Sequence, residues 1–387
     1  MQELSKRTAT FTDSVIRRMT RISNLYKAIN LSQGFPDFEP PAPLTERLAE
    51  VAKEGPHQYA LTWGAQNFRE ALARKQERFS GIKVDPDKEI VVTCGSTEAM
   101  MAAMMAVTNP GEKVVIFSPF YENYGADAIL SGAQPIYIPL KPPSFEFDAD
   151  ELEAAFKGGV KALILCNPSN PSGKVFTEEE LKIITDLAIK YDIYVITDEV
   201  YEHIVYDNHK HIYIASLPGM KERTIICSSL SKTYSITGWR LGYVIANENV
   251  IDRVKKVHDF LTVGAAAPLM EAATVGLNFG NEYYQDLKKH YTHKRDLFLN
   301  GLKNIGLPFT EPQGAYYVLV DISEFGYSND LEFCERMAKE VGVAAVPGSS
   351  FFKENIKNFI RFHFAKKDET LFSALDRLSD IYKKMKK

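Results

Sequence analysis

Cysteine is scarce in this chain, and its placement argues against two common scaffolds. The four cysteines, Cys94, Cys166, Cys227 and Cys334, are scattered over 387 residues with no CxxC pair and no metal-ligand spacing. A disulfide-stapled secreted module and a zinc ribbon are therefore unexpected. Three of the four end or follow apolar runs, which reads as reduced, buried thiols. The eight histidines form no HxxxH pair, so a metal site gains no support there. An excess of basic charge is missing too: 46 Lys and Arg against 50 Asp and Glu leave a net charge of -4. That balance, with no spare N-terminal DNA-binding module, argues against nucleic acid, an anionic membrane and a regulator. No long apolar run suggests a membrane span, and residues 1–7 lack the apolar core of a signal peptide. Internal repeats and low-complexity tracts are absent. No G-x-G-x-x-G follows an early strand, which disfavours a nicotinamide enzyme. The expectation is a soluble, cytoplasmic globular protein of ordinary composition, 45% hydrophobic and 25% charged.

Alternation is what the chain has in abundance. Between about residues 46 and 280, short apolar runs recur at 89–93, 114–117, 135–138, 162–165, 193–196, 224–226 and 242–245. Near-continuous apolarity marks strands buried on both faces of a mainly parallel sheet. Helical stretches fit between several of them, including 98–107 and 178–191, the second opened by Thr177 and Glu180 as a capping box. Strand and helix in alternation define an α/β layered domain. Past about residue 280 the texture changes. A charged helical stretch over 283–302 leads to a strand-like run at 314–320, a helix over 331–341, and short strands at 343–346 and 359–364. A last helix covers about 368–386. The order predicts a smaller α+β unit, giving a large domain over 46–280 and a small one from 1–45 with 281–387.

Ligands in an open α/β sheet sit beyond the carboxyl ends of its strands. Four such ends here carry polar or turn-forming residues. The first delivers Cys94, Gly95, Ser96 and Thr97 to the start of a helix, where free backbone N–H groups suit a phosphate. A plain N-cap by Ser96 or Thr97 would look the same. The second is the stiff turn 167–173, where Asn167-Pro168 and Asn170-Pro171 fix side-chain amides, although a turn alone needs only one such pair. At the third, Asp198 ends a buried strand, which suits a protonated heterocyclic nitrogen, and the phenol of Tyr201 lies three residues on. In isolation Asp198 reads better as a helix cap.

The fourth end carries one lysine, Lys232, among hydroxyls that include Ser229, with Arg240 eight residues further. A lysine there is expensive unless its charge is paired, solvated or removed. A Schiff base with an aldehyde cofactor is one chemical reason to hold it. Pyridoxal 5'-phosphate (PLP) is such a cofactor, and its phosphate would want an arginine and Ser or Thr hydroxyls. A surface lysine in a Ser-rich loop is the plain alternative. Near the C-terminus, Arg361 alternates with Phe359 and His363 on its face. It reads either as a solvent-facing edge-strand arginine or as a guanidinium that grips a carboxylate.

Taken in this order, the chain resembles the class I/II aminotransferases, the fold-type I PLP enzymes, from about residue 30 to 378. The markers are residues 32–37, Tyr59 with Gly64, 167–173, 197–201, 229–242 and Arg361. The resemblance implies an aspartate-aminotransferase-like fold, with a mainly parallel-sheet PLP-binding large domain and a smaller α+β domain. It implies that Lys232 holds PLP and shuttles a proton, that Asp198 pairs with the ring nitrogen, and that Asn170 and Tyr201 contact the ring oxygen. Arg240, Ser229 and the backbone at Gly95, Ser96 and Thr97 would cradle the phosphate, and Tyr121 would stack on the ring. Tyr59 would reach the neighbouring subunit's phosphate, implying a homodimer with shared active sites. Arg361, helped by Gly34 and Asn170, would bind the substrate carboxylate. L-amino acid and 2-oxo acid substrates and ping-pong kinetics follow from the same resemblance.

Residues 33–38, 257–262 and 364–367 look like the methionine, glutamine and kynurenine aminotransferases. Residues 214–217 and 346–349 are similar to aromatic or aspartate enzymes. The resemblance thus favours an uncharged, bulky amino donor, with Trp63, Tyr121 and Phe35 as contact area, and 2-oxoglutarate or another 2-oxo acid as acceptor. An aspartate-type aminotransferase and a cysteine-conjugate β-lyase are the alternatives on the same scaffold.

Overall fold

The computed structural model describes residues 3–386 apart from positions 10 and 12, so Met1 and Gln2 of the N-terminal stretch lie outside the described residues. A first helix (Val15–Tyr26) leads to a two-residue strand, β1 (Ile29–Asn30). The seven apolar runs that follow are seven strands. They are β2 (Ile90–Thr93), β3 (Lys113–Ser118), β4 (Gln134–Pro139), β5 (Val160–Cys166), β6 (Tyr194–Asp198), β7 (Thr224–Ser229) and β8 (Gly242–Ile245). One sheet contains them all, in the order β2-β8-β7-β6-β5-β3-β4. β8 is antiparallel to both neighbours, and the other pairings are parallel.

Cover on both faces explains why these strands are apolar throughout. Val115, Leu163 and Val195 pack with Leu181 and Ile184 of the helix Glu178–Lys190. Val114, Ile116, Ile164 and Ile196 pack instead with Ala99, Ala103 and Met104 of the helix Ser96–Val107. The capping box forms as the sequence predicts. Thr177 Oγ1 accepts from the Glu180 N–H, and the Glu180 carboxylate accepts from the Thr177 N–H. Such a cap is worth about 1 kcal/mol.

Beyond the long helix Asn281–Ile305 come β9 (Tyr317–Asp321), β10 (Val343–Ala344), β11 (Val346–Pro347) and β12 (Phe359–His363). β12 lies between β11 and β9 in an antiparallel sheet, whereas β10 pairs in parallel with β1. The single strand expected at 343–346 is therefore two, because Ala345 carries the chain from one sheet to the other. The helix expected over 331–341 is α-helical over Asp330–Arg336 and finishes as a π-helical turn, Met337–Val341. The last helix is also interrupted, with Asp368–Leu378 and Ile381–Met385 flanking Ser379 and Asp380.

Arg361 is central in β12 and 1% exposed, so a solvent-facing edge arginine is excluded by the strands on both sides. All four cysteines are free. Cys227 and Cys334 are buried, but Cys94 and Cys166 are only partly so, since they stand at strand ends rather than within the sheet. Among the described residues no helix is long and apolar enough to cross a membrane.

Candidate active site

The carboxyl ends of β2, β6 and β7 open on a cavity of about 1490 Å³, walled opposite by residues 13–17, Tyr317 of β9 and Arg361 of β12. Lys232, Asp198, Tyr201, Ser96, Thr97, Tyr121, Asn170, Ser229, Arg240, Gly34 and Arg361 all line it. Gly95 sits directly beside Arg240. Its φ is +86°, and a Cβ there would run into the guanidinium, so glycine is required twice over. Tyr59 stands apart from this set and is 88% exposed. Trp63 also lies outside the lining and packs beneath Lys255, whose Nζ is 4.7 Å from its ring.

Lys232 is not the surface lysine of a polar loop. Its Nζ donates to the Gly34 carbonyl at 3.1 Å and lies 5.9 Å and 5.6 Å from the ring centres of Tyr201 and Tyr316. Burial pulls its ammonium down to about 8; the charge of Asp198 opposes this, while Arg240 and Arg361 add to it.

Asp198 closes β6 and caps no helix, since a turn follows the strand. Its Oδ2 accepts from the Tyr124 hydroxyl at 2.6 Å and its Oδ1 from the Val200 N–H at 3.3 Å. Burial pushes the carboxyl up, and the Tyr124 hydrogen bond is the largest counterweight.

The helix Ser96–Val107 begins after Gly95 with no side chain capping its first turn, so neither Ser96 nor Thr97 is the cap. Ser96 and Thr97 of its first turn line the cavity together with Arg240, which bonds the carbonyls of Thr237 (3.0 Å) and Cys94 (3.4 Å). Ser229 Oγ, at the end of β7, accepts from the Ser231 N–H at 3.3 Å.

Arg361 is held on three sides. Nη1 donates to Asn170 Oδ1 at 2.7 Å and Nη2 to the Ser32 carbonyl at 2.8 Å. The rings of Tyr317 and Phe351 lie 4.3 Å and 4.5 Å from its Cζ, and its Nε has no hydrogen-bond partner among the described residues.

Three cavity-lining residues, Tyr124, Asp127 and Tyr317, and Tyr316 next to the last of them have no role predicted from the sequence. Tyr124 bonds Asp198, and Tyr317 shares a 2.8 Å hydroxyl contact with Tyr201. Tyr316 donates to the Gly34 carbonyl at 2.9 Å. Asp127, one helical turn past Tyr124, is buried with Oδ2 unpartnered among the described residues, and burial followed by the charge of Asp198 pushes it up to about 8. The helical spacing of Tyr124 and Asp127 was a usable signal, because both sit on one face of Asn123–Leu130.

These groups fit PLP. Asp198 is a buried acid that forms no ion pair among the described residues, which suits a ring N–H⁺. The uncapped helix start with Arg240 and Ser229 suits a dianionic phosphate, and an amine near 8 suits attack on an aldehyde. Fold and site thus define a PLP-dependent enzyme of fold type I.

Known proteins narrow the class. The family described as Aminotransferase class I and II matches residues 26–378. The methionine aminotransferase of Escherichia coli is 38% identical over 369 residues, covering 95% of this chain and 96% of that protein. A solved E. coli structure assigned a methionine aminotransferase function superposes with a TM-score of 0.94 at 36% identity, over 98% of this chain and 100% of that one. N-succinyldiaminopimelate aminotransferase from Mycobacterium tuberculosis gives a TM-score of 0.94 at 34% identity, over 97% and 99%. The chain belongs to the class I and II aminotransferases. It is a PLP-dependent transferase acting on an amino acid and a 2-oxo acid.

Proposed function

We propose that the amino donor is an L-amino acid with an uncharged, bulky side chain and that the acceptor is 2-oxoglutarate or another 2-oxo acid. The observation that carries this reading is the cavity's company for Arg361: Phe35, Tyr121, Tyr317 and Phe352 line the same space. Aromatic walls favour apolar contact area. The likeness to the methionine enzyme of E. coli supports the same donor class.

In this reading Lys232 attaches the cofactor, Asp198 faces its ring nitrogen, and Asn170 and Tyr201 face the ring oxygen. Tyr121 stacks on the ring, while Ser96, Thr97, Ser229 and Arg240 hold the phosphate. Bound PLP supplies an electron-accepting ring that stabilises negative charge at the substrate's Cα. Arg361 binds the α-carboxylate with Nη1 and Nη2 already oriented by Asn170 and Ser32. Because Asn170 Oδ1 accepts from Arg361, its amide N–H groups remain to donate. Lys232 Nζ takes the proton from Cα and returns it as general acid, a task suited to an amine near neutrality.

The same reading makes the protein a cytoplasmic homodimer in which the exposed Tyr59 completes the partner's site. It divides the chain into a large domain over 46–280 and a small one from 1–45 with 281–387. The strands β2 to β8 fall in the former, and β1 with β9 to β12 in the latter, which supports the division.

Adding single L-amino acids to the PLP-loaded protein, without acceptor, should bleach the visible band, with uncharged donors fastest. Faster conversion by aspartate than by every uncharged donor would reject the donor assignment. Mixed Tyr59→Ala and Lys232→Ala chains should regain activity through hybrid dimers. No recovery despite subunit exchange would reject the shared site.

A further inference from the structure

Lys366 is a buried cation with no part in the chemistry above. It follows β12 by three residues, is 5% exposed, and forms no ion pair among the described residues. A largely buried ammonium is costly unless something replaces its water, and the charge of Asp37 offsets only part of that cost. Its Nζ instead lies 4.3 Å from the ring centre of Phe35. Phe35 in turn lines the active-site cavity, as do Gln33 and Gly34 beside it.

The turn that carries Phe35 is fastened to the same stretch of chain by a second contact. Asp37 accepts from the Lys367 N–H at 2.5 Å and from the Thr370 hydroxyl at 2.8 Å. Gly34, next to Phe35, places its carbonyl where Lys232 and Tyr316 donate to it. A Cβ at Gly34 would collide with Tyr317. The position of Phe35 is thus set on one side by Lys366 and on the other by the groups around Lys232.

A cation against an aromatic ring does more than hold it. It draws π-electron density toward itself, so the rest of the ring attracts electron-rich groups more strongly. Thioether sulfur and electron-rich rings respond to this, whereas saturated carbon responds little. We propose that Lys366 is a specificity-determining positioning residue that fixes and polarises Phe35, favouring donors with a thioether or electron-rich aromatic side chain over aliphatic donors of equal length. The inference rests on the uncharged-donor reading and refines it.

Methionine and norleucine, which differ by sulfur against methylene, are the discriminating pair. In PLP-loaded Lys366→Met protein, the methionine-to-norleucine ratio of half-reaction specificity constants should fall about fivefold. The fall should come from a higher half-saturating methionine concentration rather than a lower limiting rate. Lys366→Arg, which retains the cation, should restore the ratio. In a Phe35→Leu background, adding Lys366→Met should leave the ratio unchanged. An unchanged ratio in Lys366→Met, or an equal loss for both donors, would overturn the proposal; an equal loss would mark a structural role only. Failure of the donor reading is seen separately, as a wild-type preference for aspartate. Melting temperatures of the same variants distinguish a specificity change from misfolding.

Discussion

Tyr124 donates a 2.6 Å hydrogen bond to Oδ2 of Asp198, which lies 74 residues further along the chain. Both groups are buried, and burial pushes both upward, the phenol well above its ordinary value. Tyr124 therefore keeps its proton across the physiological range and acts only as donor in this contact. The bond favours the ionised form of Asp198, the form that a protonated ring nitrogen needs opposite it.

Tyr124→Phe should accordingly weaken PLP retention. A hydrogen bond to a charged group contributes about 1.5–3 kcal/mol, which corresponds to roughly ten- to a hundredfold in affinity. Titrating cofactor-free variant with PLP and following the visible band measures this. Wild-type affinity would show that Asp198 does not depend on the phenol.

Lys232 should set the pH dependence of cofactor capture. With its amine pulled down to about 8 by burial, the neutral nucleophile accumulates as pH rises through that value and then saturates. The rate of PLP attachment to cofactor-free protein should climb between about pH 7 and pH 9 and then level off. A rate still rising steeply toward the ordinary lysine value of 10.5 would contradict the assignment. Lys232→Ala should abolish transamination, and near-normal turnover would exclude it as the base.

Asp127 predicts an opposite trend in stability. Its folded-state value of about 8 lies above the ordinary 3.8, so the folded chain holds this proton more tightly than the unfolded one. The stability contribution is complete below the unfolded value and is lost as pH rises through the folded value. Asn cannot ionise. Asp127→Asn should therefore gain on wild type in the cofactor-free protein as pH increases, by at least about 1 kcal/mol at pH 8. Parallel melting curves for the two proteins from about pH 5, above the ordinary 3.8, to about pH 9, past the folded value, would show that Asp127 is already ionised.

For Arg361 the geometry distinguishes fork from charge. A lysine keeps the charge but cannot donate together to Asn170, Ser32 and a substrate carboxylate. Arg361→Lys should raise the half-saturating amino-acid concentration roughly a hundredfold. The corresponding amine, which lacks the carboxylate, should react in the variant much as it does in wild type. Equal losses for amino acid and amine would remove Arg361 as the carboxylate clamp.

Much of the scaffold was readable because its signals are local. The apolar runs that became β2 to β8 each report two-sided burial within a few residues. The Thr177 and Glu180 cap spans a single turn, and the residues at the ends of β2, β6 and β7 announce a polar cavity by their polarity alone. Where local pattern was ambiguous, tertiary pairing decided. The apolar segment 343–346 gives no sign that its halves join different sheets, and the alternation around Arg361 is compatible with either an edge or a central strand.

Local pattern sufficed for the α/β layering and for the inventory of lysine, acid, amide and arginine near the strand ends. Tertiary structure alone decided which groups meet: Tyr124 with Asp198, Tyr201 with Tyr317 across 116 residues, Asn170 with Arg361 across 191, and Phe35 with Lys366. The physical reason is that periodicity records which way a side chain faces. The charge a site tolerates depends instead on burial and on partners from distant segments, which no local pattern encodes.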